Sequence, residues 1–222
     1  MLDVFNIAKP QNCDIQNFYG FGNQGTITDR NYMTWNKPRG VSHVYMLLIG
    51  GGGNGNGTFG GGCGAVTVWY GAAQNVPDSL AIYVRGANSN GYETVVAYRS
   101  SSGLVSLLTA NSSSSTSGAN LSPATSFASS GFYKSTDGIA GVSGNATPSA
   151  TTFLSSGTTT ATVTANYGYG YTSSTRLGYF IFQPIIVGVA SGDNSSDRTA
   201  IGCGGSGNST VGGPGFALIA SW

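Results

Sequence analysis

Apolar and polar residues alternate with the two-residue period of half-buried strands over several short stretches. Elsewhere, runs of 5 to 9 residues are almost wholly apolar and end in glycine, asparagine or serine. The strands this predicts are 41–49 (VSHVYMLLI), 65–70 (AVTVWY), 80–85, 94–99, 104–109, 158–171, 179–189 and 216–222. No stretch carries the 3.6-residue apolar period of an amphipathic helix, and abundant glycine, serine and threonine would penalise one. The expected class is all-β, an antiparallel sandwich of jelly-roll type with long glycine-rich loops. Residues 1–34 hold few sustained apolar runs and read as an N-terminal arm that docks on a neighbour, with the sandwich domain spanning 35–222. Residues 111–157 show only short apolar islands, and 111–118 (NSSSSTSG) reads as a mobile loop or exposed tip.

The two longest glycine loops are copies of one another. Ile49-GGGGNGNGTFGG laid over Ile201-GCGGSGNSTVGG matches isoleucine, four glycines, asparagine, threonine and a closing glycine pair without a gap, and each copy leads into an apolar strand. Backbones without side chains can approach closely, so the copies are expected side by side at one end of the sandwich.

Composition narrows the function. Only 8% of the 222 residues are charged, against roughly 25% in an average soluble domain, and the net charge is +1. Such a chain has no field to attract phosphate backbones or anionic lipid, so nucleic acid is not an expected partner. No run approaches the ~18 apolar residues of a membrane span, so no membrane insertion is expected either, and the N-terminus shows no secretory signal pattern. Cys13, Cys63 and Cys203 are far apart and odd in number, which fits neither a disulfide framework nor a metal or redox pair.

No cofactor, metal site or catalytic set is expected. Gly50, Gly52 and Gly55 meet the glycine spacing of a dinucleotide fingerprint, but a β-run follows in place of the helix that would hold the pyrophosphate. His43 is the one histidine and sits in an alternating strand, where a structural role is expected. Asp193 and Asp197 lie close enough to ligate a hard cation, with a polar hairpin loop as the plainer reading. Contact is a different matter. In TTTATVTANYGYGY (158–171) four threonines face one way, and Tyr167, Tyr169 and Tyr171 face the other with only glycines between them. Three such phenols can fill a subunit interface, stack on sugar rings or pack inside the core. The expected contact surface joins these tyrosines to an exposed glycine-loop end, at Gly52, Gly53, Asn54, Asn56, Gly204, Gly205 and Asn208.

The segments WNKPRGV (35–41), LIGGGG (48–53), GGGCGA (60–65), VPDSLAIYV (76–84) and GGPGFALIASW (212–222) resemble the glycine-rich domain of bacteriophage tail-fibre and virion-surface structural proteins. The resemblance covers 35–110 and 201–222, with the second glycine cluster thinned at 85–91. It implies a structural protein of the virion surface, a capsid decoration, spike or tail-fibre subunit, made in a host cytoplasm without a signal peptide. Implied partners are other virion proteins, further copies of the chain (a trimer by analogy) and a host surface glycan. Competing readings are a secreted carbohydrate- or ice-binding module and a glycan-cleaving tail spike.

Overall fold

The computed structural model describes residues 13–20, 32–54, 61–62, 64–84, 93–113, 117–120, 122–138, 201–202, 204 and 212–222. Nine strands appear among them: β1 (Asp14–Tyr19), β2 (Met33–Asn36), β3 (His43–Ile49), β4 (Val66–Ala72), β5 (Ser79–Tyr83), β6 (Thr94–Ser100), β7 (Gly103–Ala110), β8 (Phe132–Thr136) and β9 (Phe216–Ser221). Two single turns of 3₁₀-helix, at Ala73–Asn75 and Ala128–Ser130, are the helical elements of the described residues. The strands form a five-stranded sheet, ordered β1-β9-β3-β4-β8, and a four-stranded sheet, ordered β2-β5-β6-β7, with every pairing antiparallel. The protein is therefore all-β and two-sheeted, as its patterning predicts. The β3–β4 hairpin lies inside one sheet and β5-β6-β7 runs as a meander in the other, so this order does not establish a jelly-roll winding.

Alternation along the strands builds the core. Val44, Met46 and Leu48 of β3, Trp69 of β4 and Ala217 and Ile219 of β9 meet Leu80, Ile82, Val96 and Leu108 of the other sheet in one buried cluster, with Trp35 of β2. Intervening residues point the other way: Tyr45, Leu47, Ile49, Val66, Val68, Phe216, Leu218 and Ala220 form a second buried cluster on the outer face of the five-stranded sheet. A sheet buried on both faces reads as near-continuous apolar sequence, which is why β3 and β9 lack a clean alternation. Two buried hydroxyls bind the layers. Thr67 of β4 donates to the carbonyl of Thr109 on β7 at 2.7 Å, and Thr94 of β6 donates to the carbonyl of Ile49 on β3 at 2.7 Å.

Two expectations need correcting. The described strands within residues 1–34 belong to the body and not to a separate arm: β1 pairs with β9 at all six of its positions, and β2, which straddles the expected boundary at 34/35, pairs with β5. Short polar strands such as DIQNFY and MTWN lack a sequence signal of their own and gain their order from the strand beside them. The expected loop-rich stretch 111–157 contains β8, paired with β4 through Phe132 to Thr136. The strands expected at 158–171 and 179–189 lie outside the described residues.

Candidate functional site

The described parts of the two glycine loops lie side by side, as their duplication predicts, and run in opposite directions. Gly52 donates its amide to the carbonyl of Gly213 at 2.9 Å, Gly64 donates to Gly202 at 3.0 Å, and Gly202 donates to Pro214 at 2.8 Å. Asn54 accepts the amide of Gly212 on its side-chain oxygen at 3.1 Å. A third segment completes this end of the sandwich. Ala65 donates to Asn111, Ser113 donates to Gly51, and the amide of Gly51 donates to the Ser112 hydroxyl. Residues 111–113, expected in a mobile tip, are thus built into the glycine end, and Ser113 is buried.

Backbone contact explains the residue type. A Cβ at Gly64 would overlap the carbonyl of Gly50, one at Gly204 the carbonyl of Gly61, and one at Gly212 the carbonyl of Gly52. Gly202 adds a second requirement, with φ at +70°. Of the residues expected to offer contacts here, Gly53 and Gly204 are buried and Gly52 and Asn54 are half-buried. The expectation of an exposed surface fails at Gly53, whose amide donates to the carbonyl of Gly62 at 2.9 Å, and at Gly204, which packs against the carbonyl of Gly61. Asn56, Gly205, Asn208, Tyr167, Tyr169 and Tyr171 lie outside the described residues.

The other end of the sandwich carries different chemistry. His43, Tyr70 and Trp222 project from the outer face of the five-stranded sheet on β3, on β4 and just past β9. His43 and Trp222 exchange both backbone hydrogen bonds, at 2.9 and 3.1 Å, so they stand directly opposite each other. Tyr70 faces Tyr45 and is therefore diagonal to His43, still within reach of its ring. The three rings are close to parallel. Centroids are 5.5 Å apart for His43 and Tyr70, 6.1 Å for His43 and Trp222 and 5.8 Å for Tyr70 and Trp222, with interplanar angles of 14°, 21° and 13°. Ser42 fixes the group at its base: its hydroxyl lies 2.9 Å from Nδ1 of His43 and donates to the Trp222 carbonyl at 3.2 Å. The structural role expected for His43 is compatible with this packing, and Ser42 and Trp222, which the cluster ties together, are 180 positions apart with no local pattern connecting them.

Beside this cluster a groove of about 520 Å³ is lined by Lys37, Pro38, Arg39, Gly40, Val41, Ala73, Gln74 and Asp78. Lys37 is its fixed point. Its ammonium donates to Asp78 Oδ1 at 2.8 Å and to the carbonyls of Val76 at 2.7 Å and Ala73 at 3.2 Å. The hydrogen bond from Lys37 and then its charge hold the exposed Asp78 carboxyl below its ordinary value of 3.8. Three acceptors around one cation make Lys37 a clasp between the 3₁₀ turn and the β2–β3 connection. Among the described residues no group of three or more His, Cys, Asp or Glu side chains could hold a metal ion, and no helix is long and apolar enough to cross a membrane.

No protein-family model matches the chain, and no curated protein is detectably similar to it.

Proposed function

We propose that the chain is a structural protein of a virion surface, a capsid decoration, spike or tail-fibre subunit, that assembles with other virion proteins and with copies of itself. The supporting observation is the glycine end. The described parts of two copies of one loop bond backbone to backbone, with the Cβ positions of Gly64, Gly204 and Gly212 filled by neighbouring carbonyls, at the place where the sequence resembles glycine-rich fibre and spike domains. A glycine end of this kind presents few charges to be desolvated when a neighbour packs on it. Attachment to a host glycan is part of the same reading.

Antibodies raised against the purified chain test the assembly. On nuclease-resistant particles banded by density, the chain should be present in stoichiometric copies, and native mass measurement of the released protein should give an oligomer, with a trimer expected by analogy. Its absence from such particles, or a monomer under every assembly condition, would remove the reading.

A further inference from the structure

We infer that His43, Tyr70 and Trp222, extended by Phe132, form a stacking site for a neutral pyranose sugar, a site that gives the attachment role proposed above its ligand class and rests on that reading for its biological meaning. A full column of three stacked rings would hold the outer pair about 7 Å apart, twice the roughly 3.5 Å of carbon contact. All three centroid separations here are 6.1 Å or less, with planes within 21° of parallel. The rings are therefore offset, like steps, and each step leaves part of a ring face uncovered by the other two. His43, Tyr70 and Trp222 are all half-buried, so the steps reach solvent.

The steps continue onto the flanking strand. Phe132 on β8 stands opposite Tyr70 and is 51% exposed, the most exposed large apolar side chain among the described residues. An apolar ring surface next to a phenol, an imidazole and the Ser42 hydroxyl suits a pyranose, whose C–H face is apolar and whose rim is hydroxyl. Size argues for a sugar over a protein partner. An aromatic side chain buries about 150–250 Å² when fully covered, and half-buried ones offer less, whereas a stable protein interface needs about 800 Å² on each side. Four rings fit one or two sugar units. The low charge of the chain, net +1, favours an uncharged glycan over a sulfated or sialylated one.

The experiment uses the full chain on an array of neutral hexopyranosyl oligosaccharides printed beside sialylated and sulfated ones, followed by fluorescence titration with the best neutral sugar. Trp35 and Trp69 are fully buried, so acrylamide quenching reads the half-buried Trp222. Bound sugar should protect Trp222 from the quencher. Tyr70→Ala and Phe132→Ser should each weaken binding more than tenfold, while Val105→Ala on the other sheet leaves it unchanged. Phe132 is exposed, so its variant keeps the fold if Tyr70→Ala does not. No binding of neutral sugars at millimolar concentration, binding confined to acidic glycans, or unchanged affinity in Phe132→Ser would overturn the site. Particle content is scored separately: a chain found in particles but blind to sugars loses only this site, and one that binds sugars but is absent from particles loses only the virion reading.

Discussion

The Thr94 hydroxyl reaches from the first residue of β6 across the core to the carbonyl of Ile49, the last residue of β3, and it does so at the point where the first glycine loop begins. Thr67 makes the reverse bond, from the five-stranded sheet to Thr109 of the four-stranded one. Each replaces a water contact that a buried carbonyl has lost. Thr94→Val keeps the shape and removes the donor, so it should cost about 1–3 kcal/mol, and Thr94→Ser should restore most of the loss. Urea denaturation of the two variants checks this, and equal stability of Thr94→Val and the parent would contradict it.

Two glycines of the same loop should respond in opposite ways to one methyl group. At Gly64 the added carbon meets the carbonyl of Gly50, a backbone atom that cannot turn aside, so Gly64→Ala should destabilise by about 1–3 kcal/mol or prevent folding. At Gly51 the nearest atoms are the Ser112 hydroxyl at 3.4 Å and the Gly213 carbonyl at 3.5 Å, ordinary contact distances. Gly51→Ala should be neutral or gain up to about 1 kcal/mol by restricting the unfolded chain. Thermal melts of both variants compare them directly.

Removing residues 1–20 deletes β1 and turns β9 into an edge strand whose outward face holds Phe216, Leu218 and Ala220. An uncovered apolar edge invites pairing with other chains. The truncated protein should therefore aggregate or lose solubility, as read by size-exclusion chromatography, where a detachable arm would leave a soluble body.

Two side chains set opposite pH limits. Asp78 has its pKa lowered on folding, so its ion pair with Lys37 contributes stability above the ordinary carboxyl range and loses that contribution as pH falls below about 3.8. Tyr133 is shifted the other way: burial raises its phenol, hydrogen bonding with Ser135 and Thr67 partly opposes the rise, and the hydroxyl donates to the Ser122 carbonyl at 2.8 Å. Its contribution is complete below the ordinary value of 10.0 and is lost as pH climbs through the raised one. Asp78→Asn should flatten the acid limb of the stability profile and Tyr133→Phe the alkaline limb, both measured by melting temperature against pH.

Much of the sheet was legible in the sequence. β3, β4, β5, β6, β7 and β9 stand within two residues of their expected ends, because apolar runs bounded by glycine and serine leave few alternatives. β1, β2 and β8 were not, since DIQNFY, MTWN and FYKST are too polar or too short to declare themselves without a partner. The pairing of the glycine loops followed from their repeat, yet their burial did not: repetition shows that two segments are alike, not which atoms fill the space between them. The ring cluster was the least accessible, since His43 and Trp222 are joined only by the β3–β9 register.

β9 lies between β1 and β3, and its preceding loop supplies half of the glycine end. When the ribosome has produced everything up to residue 200, the five-stranded sheet still has a gap between β1 and β3, and neither β1 nor the loop after β3 yet has its hydrogen bonds to 212–222. Contacts of such long sequence separation form slowly, because a large loop must close before any of them yields stabilisation. The nascent chain must therefore hold the apolar edge of β3 open until 212–222 emerge, and a chaperone or a second copy of the chain that shields that edge would govern how much of it reaches the folded state.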